Sequence, residues 1–85
     1  MPTISRFRNM KVQMFFLDHN PPHFHVRHDK KNAVCLLDGT LHEGTLPSSK
    51  LAEIQEWAAL HSVELAEDWG LCSEGKLPNP IPGLD

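Results

Sequence analysis

From Met10 to Leu17 the chain alternates, with Met10, Val12, Met14 and Phe16 on one side and Lys11, Gln13, Phe15 and Leu17 on the other. A period of two marks a strand, here one with a strongly apolar face. The shorter extended piece Thr3 to Phe7 can pair with it through a turn at Arg8 and Asn9. Pro21 and Pro22 then stop any helix and remove two backbone donors, so Asp18 to Pro22 reads as a rigid connection, with a strand resuming at His23. Asn32 to Leu37 is apolar enough for a central strand, and Asp38 and Gly39 favour a type I′ hairpin with Thr40 to Leu46 as the returning strand. Strands joined by short connections form an antiparallel meander.

Beyond Pro47 the period changes. Leu51, Ile54, Ala58, His61, Leu65, Trp69 and Cys72 recur at helical spacing, flanked by Trp57, while Glu53, Glu56, Glu64 and Glu67 lie off that stripe. The pattern predicts one long amphipathic helix from a cap at Ser48 or Ser49 to about Ser73, stopped by Gly75. Such a helix needs an apolar surface to cover, and the sheet supplies it. The expected fold class is therefore α+β: a small two-layer domain over residues 1–75, four to five short strands covered by one C-terminal helix. Pro78, Pro80 and Pro82 make residues 76–85 an extended tail, which Ile81 and Leu84 can pin to the domain.

Composition adjusts this picture in three ways. With 85 residues the chain has room for one domain and a core of marginal size. Cys35 and Cys72 sit in apolar surroundings without metal or disulfide spacing, as reduced packing thiols do. No apolar run approaches the ~20 residues of a membrane span, and the opening residues lack a signal-peptide pattern, so a bacterial-type cytoplasmic protein is expected. The net charge of −3 is also unevenly divided. Residues 1–42 carry six Lys or Arg against three Asp, whereas residues 43–85 carry two Lys against eight acids. A polyanion such as a nucleic acid would meet the first half, although a balance of this size also describes ordinary solvated surface.

The candidate chemistry lies in the segment Asp18, His19, Asn20, Pro21, Pro22, His23, Phe24, His25. In a strand starting at His23, residues 23, 25 and 27 share the outer face, while Phe24 and Val26 belong to the core. Two imidazoles one residue apart can chelate a divalent ion such as zinc, with His19 or Asp18 as third ligand and His42 as a fourth. The same His23 and His25 can instead serve as general base and general acid, with Arg27 steadying a phosphate, as in RNA cleavage. A third role is architectural, with His19 and His23 bonding backbone groups left open around the prolines. His61, inside the helical stripe, reads as a core histidine.

Taken together, Pro2 to Ser5, the Asp18 to His25 segment, the Gly44, Thr45, Leu46, Pro47 lead-in to the helix and the Trp57, His61, Glu64, Leu65, Trp69 pattern resemble the bacterial family filed as domain of unknown function 4160. The resemblance implies a small stand-alone cytoplasmic protein without an assigned activity. It also implies a partner: a short protein encoded by a neighbouring gene, in an arrangement similar to toxin and antitoxin pairs. The family's histidines fall here on His19, His23, His25 and His61. The chain departs from the pattern at Arg8 and Asn9, in place of an aromatic and a glycine, and at Arg27 and His28, near an expected aromatic. Three functions follow as expectations. The first is an interaction module whose contact site includes Asp18, His19, Asn20 and Phe24. The others are a nuclease or metal-assisted hydrolase using His23, His25 and Arg27, and a metal-binding protein using His19, His23 and His25.

Overall fold

The computed structural model describes residues 2–84. Five strands form one antiparallel sheet in the order of the sequence: β1 (Thr3–Phe7), β2 (Met10–Gln13), β3 (His23–His28), β4 (Lys31–Leu36) and β5 (Leu41–Gly44). Every connection is a hairpin or short loop, which leaves antiparallel pairing between neighbours as the simplest topology. Arg8 and Asn9 turn the chain between β1 and β2, both with positive φ. A bulge between Thr3 and Ser5 shifts the alternation, so that Ile4 and Ser5 are both buried.

The alternation read from the sequence holds over most of the sheet. Phe7, Met10, Val12, Met14, Phe24, Val26, Ala33 and Cys35 point to the helices and are buried. β2 ends four residues earlier than the periodicity predicts, because Phe15, Phe16 and Leu17 turn into the β2–β3 connection, where Leu17 donates its N–H to the Cys72 carbonyl at 2.9 Å. The Asp38-Gly39 turn is also not the two-residue type I′ form. Leu36 N–H bonds the Thr40 carbonyl, so the loop holds Leu37, Asp38 and Gly39, with positive φ at Gly39 and not at Asp38. A three-residue loop with glycine in the left-handed position satisfies the same strand twist.

The single long helix is a pair instead. α1 (Ser48–Leu60) and α2 (Ser62–Ser73) are separated at His61, whose φ of −119° and ψ of 29° leave the helical region. His61, Ser62 and Val63 are three successive residues of weak helix propensity, so the chain breaks there at low cost. The break lets both segments face the sheet: Ile54, Trp57 and Ala58 from α1, and Leu65 and Cys72 from α2, are buried. Neither Ser48 nor Ser49 caps α1; Pro47 occupies the cap position and no side chain bonds the first turn. Gly75 ends the second helix with φ of 74°. His61 is not enclosed in the core; its half-buried ring bonds Glu64 through Nδ1 at the break.

Trp57 is the centre of the interface. Its ring lies 5.4 Å from Phe7 and 5.6 Å from Phe24, and its indole N–H donates to the Pro82 carbonyl at 2.8 Å. Burying a large apolar side chain of this kind contributes about 1.5–3 kcal/mol. The tail is accordingly part of the packing, with Ile81 and Leu84 buried and Ile81 N–H bonded to the Ile4 carbonyl at 2.7 Å. That bond also covers the β1 edge of the sheet, while β5, the other edge, is short and exposed. Cys35 and Cys72 are free, buried thiols, and burial raises the Cys35 pKa to about 11. Among the described residues, no helix is long and apolar enough to cross a membrane.

Candidate metal centre

The β2–β3 connection, anchored on the end of α2 through Leu17, brings Asp18 beside the first residues of β3. The odd-numbered side chains of β3 share one face, opposite Phe24 and Val26, and His23, at the start of the strand, reaches Trp69 of α2. Asp18 Oδ2 lies 2.8 Å from His23 Nε2 and 3.6 Å from His25 Nε2, so two imidazoles converge on one carboxylate oxygen. These three donor atoms all lie within 4.8 Å of one another. Ligands bonded to one ion at about 2.0–2.1 Å and separated by 90–110° sit about 2.9–3.4 Å apart, and the two Asp18–imidazole distances, 2.8 and 3.6 Å, bracket that range.

His23 differs from the sequence-based expectation of an outward-facing ring. It is 5% exposed, covered by Trp69 of α2 with ring centres 5.2 Å apart. Its Nδ1 lies 2.7 Å from the Pro21 carbonyl oxygen, which can only accept, so the proton sits on Nδ1. In the neutral ring Nε2 is then a lone pair facing a carboxylate at 2.8 Å. One further positive charge, a second proton or a metal ion, is needed to make that approach attractive. Holding the distal nitrogen of a ligating histidine with a backbone carbonyl is also how metal sites fix the ring and its tautomer.

His25 makes the stronger statement. Its Nε2 is buried and has no hydrogen-bond partner, because 3.6 Å to Asp18 is too long for a hydrogen bond. Phe15 stacks on the ring at 4.0 Å and 8°, which fixes its plane. Burial of the ring lowers the His25 pKa and outweighs the pull of Asp18, so this imidazole favours the neutral form that ligates metals. For Asp18, burial alone would raise the carboxyl, but the His19 N–H at 2.9 Å and the two imidazoles prevail and hold it below its ordinary value. The donors are thus in the right states: one carboxylate and one unpaired neutral imidazole, with the second imidazole locked by Pro21.

The remaining sequence-based candidates are placed differently. His19 is not the third member of the cluster; its ring is 86% exposed and approaches the other Asp18 oxygen, Oδ1, at 3.0 Å. Asn20 is exposed, and the Asn20–Pro21 peptide bond is cis. Phe24 is fully buried against Trp57 on the opposite face. Arg27 is exposed one outer-face position beyond His25. His42 lines the cleft above the cluster together with Phe15, Pro21, Val34 and Glu43; its volume is about 240 Å³. Sequence reasoning did not anticipate Phe15 and Trp69 as the rings that hold His25 and His23. The apolar strand parity of Phe15 was the available signal, but its partner depends on register.

No curated protein and no solved structure matches the chain. The family model described as Domain of unknown function (DUF4160) matches residues 9–70. That span contains the histidine segment, both sides of the cluster and the helical Trp57, His61 and Trp69, and the chain belongs to this family of proteins with a shared domain of unknown function.

Proposed function

We propose that the protein binds one divalent transition-metal ion through Asp18 Oδ2, His23 Nε2 and His25 Nε2, leaving at least one coordination position open to the cleft. The observation that carries the reading is the buried His25 Nε2, which has no hydrogen-bond partner among the described residues and lies 3.6 Å from a carboxylate oxygen already approached by His23. A two-histidine, one-carboxylate set suits first-row ions of the zinc and iron(II) type. With three protein ligands, an ion keeps room for water or substrate, and the catalytic form of the reading is metal-assisted hydrolysis with Arg27 as an anion contact. Metal-free acid–base catalysis by His23 and His25 is less well supported, since both nitrogens of His23 are already engaged and its ring is buried.

Isothermal titration of the metal-free protein with Zn²⁺ tests the proposal. The expected result is one site per chain, with affinity lowered more than about 100-fold in His25→Ala and in Asp18→Asn. Equal binding by both variants and the unaltered chain removes it.

A second reading, a module that pairs with a small protein encoded by a neighbouring gene, is favoured by one feature. Leu60 and Val63, on either side of the helix break, are 65% and 76% exposed. Exposed apolar side chains this close together are candidates for a protein contact. Co-expression with the neighbouring gene product tests it, and two proteins that elute separately would refute it.

A further inference from the structure

The register of the sheet assembles a second feature on the same face as the metal cluster. Arg6 of β1 pairs directly with Lys11 of β2, and Lys11 pairs directly with Arg27 of β3. Directly opposed residues stand on one face about 5 Å apart, so three cations form a row across three adjacent strands. Like charges in that arrangement repel, and neighbouring acids usually compensate. Here they do not: among the described residues, no carboxylate makes an ion pair with Arg6, Lys11 or Arg27. Asp29, the nearest acid in the cleft, faces His28 at 3.5 Å.

The row is continuous with the metal cluster. Arg27 follows His25 by two residues, about 7 Å along the strand on the same face. Three concavities run end to end between them. A cationic cleft of about 470 Å³ shares Arg27 with a central groove of about 360 Å³, and that groove shares Phe15, His25 and Glu43 with the metal cleft. Phe15, stacked on His25, gives the track an aromatic wall. The acidic residues of the second half lie mainly on the helices, on the far side of the sheet, where Glu53, Glu56, Glu64, Glu67 and Asp68 are found. The molecule is therefore polarised despite its net charge of −3.

A cationic groove one row wide beside an aromatic surface is the arrangement that holds a single nucleic-acid strand, with phosphates on the cations and bases against rings. We propose that the outer face of the sheet binds single-stranded nucleic acid, with Arg6, Lys11 and Arg27 gripping backbone phosphates along the track that leads to His25. Delivery of a phosphodiester to the Asp18, His23 and His25 ion rests on the metal-binding reading; the grip of the cationic row does not.

Fluorescence anisotropy with a short fluorescein-labelled oligouridylate, at low salt and in EDTA, tests the track without involving the metal. The intact chain should bind. Replacing Arg6, Lys11 and Arg27 together by Gln should weaken binding at least about tenfold and flatten the slope of log affinity against log salt by about 2, from roughly 0.7 per phosphate contact. Arg27→Gln alone should lose about threefold, whereas Lys76→Gln, the same charge change on the tail, should lose none. Removing repelling cations should leave the Tm of these variants at or above that of the intact protein. Absence of binding, or equal losses from Arg27→Gln and Lys76→Gln, overturns the proposal. So does competition by polyglutamate as effective as by unlabelled oligonucleotide, which would assign the face to an acidic protein. Because the assay excludes metal, its failure leaves the Zn²⁺ titration untouched, and the converse also holds.

Discussion

The two faces of β3 satisfy different requirements. Phe24 and Val26 are sealed against the helices, where shape and apolar area suffice. His23, His25 and Arg27 stand on the other face with polar atoms to satisfy, and one of these, the buried His25 Nε2, has no hydrogen-bond partner among the described residues. Because side chains alternate with a period of two, the core register also fixes the site, and a slip of one residue would exchange the two sets. The inner face acts as the template on which the outer face is aligned. A rigid β3 sets the two imidazoles side by side, and the β2–β3 connection, anchored through Leu17 on the Cys72 carbonyl, brings Asp18 to them.

The inner face should carry the largest energetic cost when it is altered. Phe24→Ala should cost about 3–5 kcal/mol in urea denaturation, since the ring is fully buried against Trp57. A loss below about 1 kcal/mol would mean that this face does not set the register. On the outer face, His23→Ala should cost about 2–3 kcal/mol, because the Pro21 carbonyl and Asp18 both lose their ring partner in a mostly buried setting. His25→Ala removes a stacked ring whose Nε2 bonds nothing and should cost only about 1 kcal/mol, while metal affinity is lost. Equal destabilisation by the two histidine variants would make His25 architectural.

The smallest effect contrasts two carboxylates. Asp18, on the outer face, is held below its ordinary pKa, whereas Asp68, in the helical layer, is raised by burial, with only the Asn79 N–H at 2.8 Å to offset it. A raised carboxyl pKa in the folded state favours the protonated form, so this group costs stability once pH rises above its ordinary value of about 4, and the cost grows until pH passes the folded-state value. Asp68→Asn should therefore stabilise the protein by up to about 1 kcal/mol at pH 7, with the gain vanishing below about pH 4. A thermal melt series against pH reads the difference. A gain that persists at low pH would assign it to packing.

Much of the fold was legible because the sheet is a meander. Neighbours in sequence are neighbours in space, and the alternation from Met10 to Met14 and from Phe24 to Val26 states which side is covered. The helix break was not legible, since Ile54, Ala58, Leu65 and Cys72 keep one helical phase on either side of it and only three residues of weak propensity mark it. In the site, strand parity placed His23, His25 and Arg27 on one face. It could not choose between Asp18 and His19 as the third ligand, because the path of the β2–β3 connection depends on the anchor at Cys72. The cationic row was legible only as an excess of charge in the first half. Its alignment needs the register of three strands, which no local pattern encodes.

On the proposed reading a metal ion, and not a proton, completes the Asp18, His23 and His25 cluster. Long-range ¹H–¹⁵N spectra of the imidazole rings, recorded while Zn²⁺ is added to the metal-free protein, test it most directly. The Nε2 signals of His23 and His25 should shift together and saturate at one equivalent, the His23 Nδ1–H should stay bonded to the Pro21 carbonyl, and His19 and His42 should move less. Unchanged His23 and His25 signals at one equivalent would contradict it.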